Sequence, residues 1–268
     1  MKISFSTLSC PDWSWNKVLD EAVRLGFEGI EVRGADGEMY LPKAIPFLPE
    51  NINRTKEQLK LKGLEITDLG SSCSFHEAEN FQANIIEGKE YIDLAAVLGV
   101  PYIRVFGNNV PDSAKAQETL DRIASGLKEL SLYGEGKNVM VLVETHGDFP
   151  ELNYMIPVLE KVNSPYLGVL WDIEHTYKRY GEDIEEFFNK TKAYIKHVHV
   201  KDTKKGKDGF HICMIGEGDV NIKKDIDLLK EYGYKGYLSL EWEKKWVPSL
   251  EEPEVVMPIY VEFIKKLL

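Results

Sequence analysis

Four residues stand where chemistry concentrates. Glu144 closes the run NVMVLVE, Asp172 closes YLGVLWD, His199 lies near the end of YIKHVHV, and Glu241 closes GYLSLE. Each follows a short, mostly apolar stretch, where an ionisable group is costly unless it is paired or coordinated. Three carboxylates and one imidazole make an oxygen-rich set of intermediate hardness, suited to one divalent cation: Mn²⁺ first, with Mg²⁺, Co²⁺ or Zn²⁺ as alternatives. The competing reading is a structural ion-pair network, with Lys201, Arg104 or Arg33 as its cations. Cys10, Cys73 and Cys213 are odd in number and far apart, so they read as small packing residues rather than as a thiolate zinc site or a disulfide framework.

A cation that chelates a carbonyl and its neighbouring hydroxyl stabilises the negative charge left when the α-proton departs. Glu144 and Glu241 can flank such a substrate and serve as acid and base as well as ligands. The enediolate can then be reprotonated, as in an isomerase or epimerase, or expel a β-hydroxyl, as in a dehydratase; a metal-binding regulator without turnover is a third possibility. His175, three residues after Asp172, can lie over the cation and meet a substrate oxygen, and His146, two after Glu144, is a weaker candidate of the same kind. His76 in SCSFHEAE follows a strand and can face the same space. His197 shares a strand face with His199, which is preferred as ligand because it is nearer the carboxyl end. Lys201 and Arg104 can hold a phosphate or a hydroxyl, and Trp13, Phe75, Phe106 and Trp246 can stack on a sugar face or simply pack.

The elements that must position these residues follow one repeated pattern. EAVRLGFEGIEV, EQLKLKGLEITDL, DLAAVLGVPYIRVF and DLLKEYGYKGYLSLE each run from a helical segment through a glycine stop into a β-rich run. Strands at 2 to 7, 138 to 144, 166 to 172 and 194 to 200 complete about eight, spaced as strand, loop and crossover helix require. Neither GxGxxG nor GxxxxGK[ST] occurs, which disfavours the open nucleotide-binding sheets. With 268 residues against roughly 250 for one such barrel, the expectation is an α/β fold, a (β/α)₈ TIM barrel with a single domain over 1–268. In that fold the working groups sit at the carboxyl ends of the strands, which is where the four residues fall.

The chain has 43% hydrophobic and 29% charged residues, enough for a large core. Its 44 acidic and 33 basic residues give a net charge of -11, which opposes nucleic acid as a partner and suits cation capture and a neutral sugar. No apolar run approaches the ~20 residues of a membrane span, and no signal-like segment opens the chain; no membrane partner is expected, the cytoplasm is the expected location, and a homodimer is compatible.

In this order the motifs KISFST, LGFEGIEVR, IRVFG, VETHG, WDIEH, HVHVKD, IGEGDVN and GYLSLEWE resemble the xylose isomerase-like TIM-barrel superfamily, in particular its sugar phosphate isomerase/epimerase group. The resemblance covers essentially the whole chain. It implies one divalent metal on Glu144, Asp172, His199 and Glu241, and substrate contacts near His175, Lys201, Glu217 and Arg104. It also implies inosose-type dehydratases as an alternative. The superfamily includes endonuclease IV-like DNA repair enzymes with a three-zinc centre, which need more strand-end histidines than six in all and fit poorly with the acidic charge.

Overall fold

Glycine-stopped helices feed directly into strands four times, as the repeats require. The helices α1 (Trp15–Leu25), α2 (Ile52–Lys62), α3 (Phe81–Leu98) and α8 (Ile222–Tyr232) end at Gly26, Gly63, Gly99 and Gly233, all left-handed, with the cap N–H returning to the last turn. A left-handed stop costs glycine no Cβ clash and turns the chain sharply back towards the sheet. In the computed structural model, which describes residues 1–268, the four strands these turns launch join four others in a closed barrel.

The barrel strands are β1 (Lys2–Ser6), β2 (Gly29–Val32), β3 (Glu65–Ser74), β4 (Tyr102–Phe106), β5 (Met140–Glu144), β6 (Leu167–Asp172), β7 (Ile195–Val200) and β10 (Tyr237–Leu240). Their order is β1-β10-β7-β6-β5-β4-β3-β2. The other helices are α4 (Ala116–Glu135), α5 (Leu152–Val162), α6 (Ile173–Tyr180), α7 (Glu185–Thr191) and α9 (Pro253–Leu267). None is long and apolar enough to cross a membrane.

The chain groups into two compact units: residues 1–67 with 197–268, and residues 68–196. In the first, β1 pairs in parallel with β2 and β10, and β10 with β7. Phe5 on β1 meets Phe27, which stacks on Tyr260 of α9, so alternate residues of β1 face the helices. Ser4 and Ser6 therefore face the other way. In the second unit β4 pairs with β3 and β5, and β5 with β6. Trp171 packs on Phe187 and Phe188 of α7, which turns its neighbours Leu170 and Asp172 to the interior. The register then puts Glu144 and Phe106 level with Leu170 on that inner face.

Two features depart from the expectation. β3 runs on to Ser74, although GSSCS after Leu69 has the composition of a loop; a register shift between Gly70 and Ser74 lets these small residues continue beside β4. An antiparallel hairpin, β8 (Asp202–Gly206) and β9 (Gly209–Cys213), follows β7. Its sequence DTKKGKDGFHIC lacks an apolar alternation because most of its residues are solvated, so no periodicity betrays it.

Close packing at the end of α4 fixes where β5 begins. A Cβ on Gly134 would overlap the backbone oxygen of Val139, and the Val139 N–H donates to the Gly134 carbonyl. Gly134→Ala is expected to destabilise the protein by roughly 1–3 kcal/mol. Thermal unfolding checks it at about 2–4 °C per kcal/mol for a chain of this size; an unchanged midpoint would contradict the close approach.

Candidate metal centre

In the unit 68–196, Glu144 and Asp172 are both buried, at 1% and 0% exposure. Arg104, also buried, places Nε 3.2 Å from Glu144 Oε2. Its guanidinium lies 3.9 Å over the Phe106 ring and its Nη1 donates to the Ser71 carbonyl at 3.0 Å. Three unlike contacts fix one planar group, the geometry for which arginine is suited. Arg104 thus serves as the cation on Glu144, the ion-pair role weighed for it alongside substrate contact.

Asp172 ends β6 and begins α6. Its Oδ1 accepts the Glu174 and His175 backbone N–H groups at 2.9 and 3.3 Å, an N-cap on the first helical turn. Oδ2 lies 3.6 Å from His175 Nε2. The Thr145 hydroxyl accepts the Asp172 N–H at 2.8 Å, so the residue after Glu144 locks the two strand ends together. His175 and His146 meet edge to face at 4.7 Å between centroids, and Phe106 lies 4.9 Å from His146. His146 Nδ1 is 3.0 Å from Asn108 Oδ1. Gly147, at φ 64°, lies so close to Asn108 and Asn109 that a Cβ would touch both. The structure therefore gathers Arg104, Glu144, His146, Asp172 and His175 at the carboxyl ends of β4, β5 and β6.

Glu174, on which the sequence alone places no emphasis, is buried and pairs with Lys178 Nζ at 2.5 Å. His76 is only partly buried and faces Glu77 at 3.8 Å. Phe75 is fully buried against Phe81, so its place is the core.

In the other unit, His199 and Glu241 are buried at 0% and 5%, and His199 Nδ1 lies 3.3 Å from Glu241 Oε2. The same Glu241 oxygen receives Lys201 Nζ at 2.6 Å, and Lys201 also reaches Glu243 Oε1 at 2.7 Å. The residue missed by sequence reasoning is Glu31. Its Oε2 lies 2.9 Å from His197 Nε2 and 2.8 Å from His199 Nε2. Burial pushes the Glu31 carboxyl up, but the two imidazoles outweigh burial and hold it well below the carboxylate range. The available signal was a lone acid inside the apolar run GIEV. Trp13 is buried and Trp246 is half exposed, with Lys17 over the Trp13 ring at 4.4 Å.

Glu217 is exposed, on the turn after β9. That turn is organised by Asp202, whose carboxylate accepts the Gly216, Gly218, Val220 and Thr203 N–H groups. Burial dominates these hydrogen bonds and raises the Asp202 pKa. The structure thus groups His199, Lys201 and Glu241, and holds Glu217 on a solvated turn.

A family model described as a xylose isomerase-like TIM barrel matches residues 19–267. An uncharacterized protein of Methanocaldococcus jannaschii is 25% identical over 99% of this chain and 91% of its own length. An inosose dehydratase of Clostridium botulinum is 23% identical over 90% and 85%. Among solved structures, a D-tagatose 3-epimerase-like protein superposes with a TM-score of 0.79 at 22% identity, covering 99% of this chain and 96% of that one. The IOLI protein with a bound zinc atom superposes with a TM-score of 0.78 at 18% identity, covering 100% and 96%.

Arg104→Met removes the guanidinium from a buried carboxylate and is expected to cost roughly 3–5 kcal/mol in metal-free protein. Denaturant unfolding measures it, and a loss under about 1 kcal/mol would show a pair relaxed by solvent. The Cys213 thiol is pushed up to about 11 by burial and then by Asp202 and Glu217. Since the thiolate is the reactive form, its labelling rate should climb about tenfold per pH unit towards that value; a plateau near the ordinary thiol range would contradict this environment.

Proposed function

The chain belongs to the xylose isomerase-like TIM-barrel family, and from that premise we propose that it is a divalent-metal-dependent isomerase or epimerase of a small sugar-like ketose. Glu144, Asp172, His199 and Glu241 would hold the cation. The observation that carries this reading is their placement: all four are buried ionisable groups at the ends of β5, β6, β7 and β10, which are consecutive in the closed strand order. They also form a group able to offer one ligand atom each. Three carboxylates and an imidazole fit Mn²⁺ first, and Mg²⁺, Co²⁺ or Zn²⁺ as alternatives; the IOLI protein of the same fold is described with zinc.

When bound, the cation supplies Lewis-acid stabilisation for the negative charge that develops on a substrate carbonyl oxygen. Glu144 and Glu241 are the acid and base: one removes the proton α to the carbonyl and the other returns one from its own side. Arg104 and Lys201 hold those two carboxylates in place. His175 and His146, with the Phe106 face beside them, are positioned to bind and orient hydroxyl groups. Glu217 on its turn is the remaining proposed substrate contact.

Dehydration of an inosose-like polyol is the second reading, favoured by a curated inosose dehydratase aligned along most of both chains. Both reactions begin with loss of the same proton. They part afterwards: one returns a proton to carbon, and the other releases a β-hydroxyl as water.

Incubating the Mn²⁺-loaded protein in deuterated water with a panel of ketoses and inososes tests both. An epimerase or isomerase introduces deuterium at the α-carbon with the formula otherwise conserved, whereas a dehydratase releases water and forms an absorbing unsaturated carbonyl. Glu144→Gln and Glu241→Gln should each slow deuterium uptake by about 10²-fold or more. Unchanged exchange in both variants would remove the acid/base assignment, and metal uptake without exchange on any substrate would indicate a binding protein.

A further inference from the structure

Glu31 meets two histidines through a single oxygen, and the strands between them carry small side chains. β2 and β7 are separated by β1 and β10 in the strand order. The register sets Ser6 beside Glu31, Ser4 beside Ser239, and Ser239 beside His199. Ser4, Ser6 and Ser239 are all fully buried. Bulkier side chains on those inner faces would fill the space that the Glu31 side chain crosses. The strand end beyond Glu31 is pinned as well, since the Thr7 hydroxyl accepts the Arg33 and Gly34 N–H groups at 2.9 and 3.1 Å.

An ionised carboxylate can only accept, so at each contact the proton belongs to the imidazole. With His197 Nε2 at 2.9 Å and His199 Nε2 at 2.8 Å from the same oxygen, the geometry suits an Nε2 proton on both rings. That leaves Nδ1 of His199 as the atom for a cation, and it is the atom turned towards Glu241, at 3.3 Å from Oε2. A histidine ligand fixed through its other nitrogen by a carboxylate is held in one tautomer and one orientation, and such partners commonly change metal affinity by roughly 10–100-fold.

We propose that Glu31 is a positioning residue that commits His199 to coordinating through Nδ1, with His197 as the second donor that holds the Glu31 carboxylate in place. This rests on the reading of His199 as a ligand, and it assigns His197 to the support of the centre rather than to the cation itself.

Two measurements on the intact chain test it. Long-range ¹H–¹⁵N spectra of metal-free protein report which ring nitrogens are protonated, and chelator competition with Zn²⁺ reports affinity. Wild type should keep a proton on Nε2 of both rings. Glu31→Ala should introduce a His199 population protonated on Nδ1 and weaken Zn²⁺ binding roughly 10–100-fold. Glu31→Gln, which retains an acceptor oxygen in nearly the same volume, should restore most of both. His199 protonated on Nδ1 and bare at Nε2 in wild type overturns the proposal, even if Glu31→Ala does not fold. So does Zn²⁺ affinity in Glu31→Ala equal to wild type. Wild type that binds no divalent ion yet keeps the Nε2 protons would defeat the metal reading while the orientation of His199 by Glu31 stands.

Discussion

An ionised group taken out of water costs several kcal/mol even after the protein relaxes around it, and this chain buries many ionisable side chains on its barrel strands and the turns that follow them. Glu31, Arg104, Glu144, Asp172, Glu174, His197, His199, Lys201 and Glu241 are all under 6% exposed. That concentration is the constraint from which the local architecture derives. Each carboxylate is met by a matching group: Glu144 by Arg104, Glu174 by Lys178, Glu241 by Lys201, Glu31 by two imidazoles, and Asp172 by the first N–H groups of α6. The surrounding elements hold these partners at hydrogen-bonding distance.

Much of the scaffold serves that end from a distance. Gly134 lets α4 approach Val139 so that β5 starts at the right level, and five residues later the strand delivers Glu144. Thr145 ties that strand end to Asp172, which caps the helix bearing His175. Thr7 fastens the end of β1 to the residues beyond Glu31. These contacts are neutral and unremarkable singly, yet they remove the freedom that long charged side chains otherwise lose on their own account.

The barrel and four strand-end residues were legible because their signals are local. A glycine at the end of a helical period, followed at once by a β-rich run, is visible in a dozen residues, and the structure has all four such joints. A charge that closes an apolar run, as at Glu144 and Asp172, is equally visible. Glu31 was not, because a single acid in GIEV acquires meaning only through His197 and His199, more than 160 residues away. For Phe75 the choice between a sugar platform and simple packing stayed open for the same reason: a loop position says nothing of Phe81 packing against it. The β8–β9 hairpin escaped because a solvated ribbon needs no apolar alternation, and the end of β3 because GSSCS has loop composition and is carried into the sheet by its pairing with β4.

Lys201 shows how charge and chemistry are reconciled in such a place. Its ammonium sits between Glu241 at 2.6 Å and Glu243 at 2.7 Å. A buried lysine with one carboxylate would be stranded whenever that carboxylate turned to another cation, and an uncompensated buried charge is the expensive outcome. Glu243 lies nearer solvent, at 26% side-chain exposure. With it in place, Glu241 can share its oxygen with Lys201, with the His199 ring, or with an incoming positive charge without leaving the ammonium alone. The WE pair at the end of GYLSLEWE therefore has a physical reading: Trp242 anchors the strand end by donating to the Glu251 carbonyl, and Glu243 holds Lys201 in reserve for the residue two places before it.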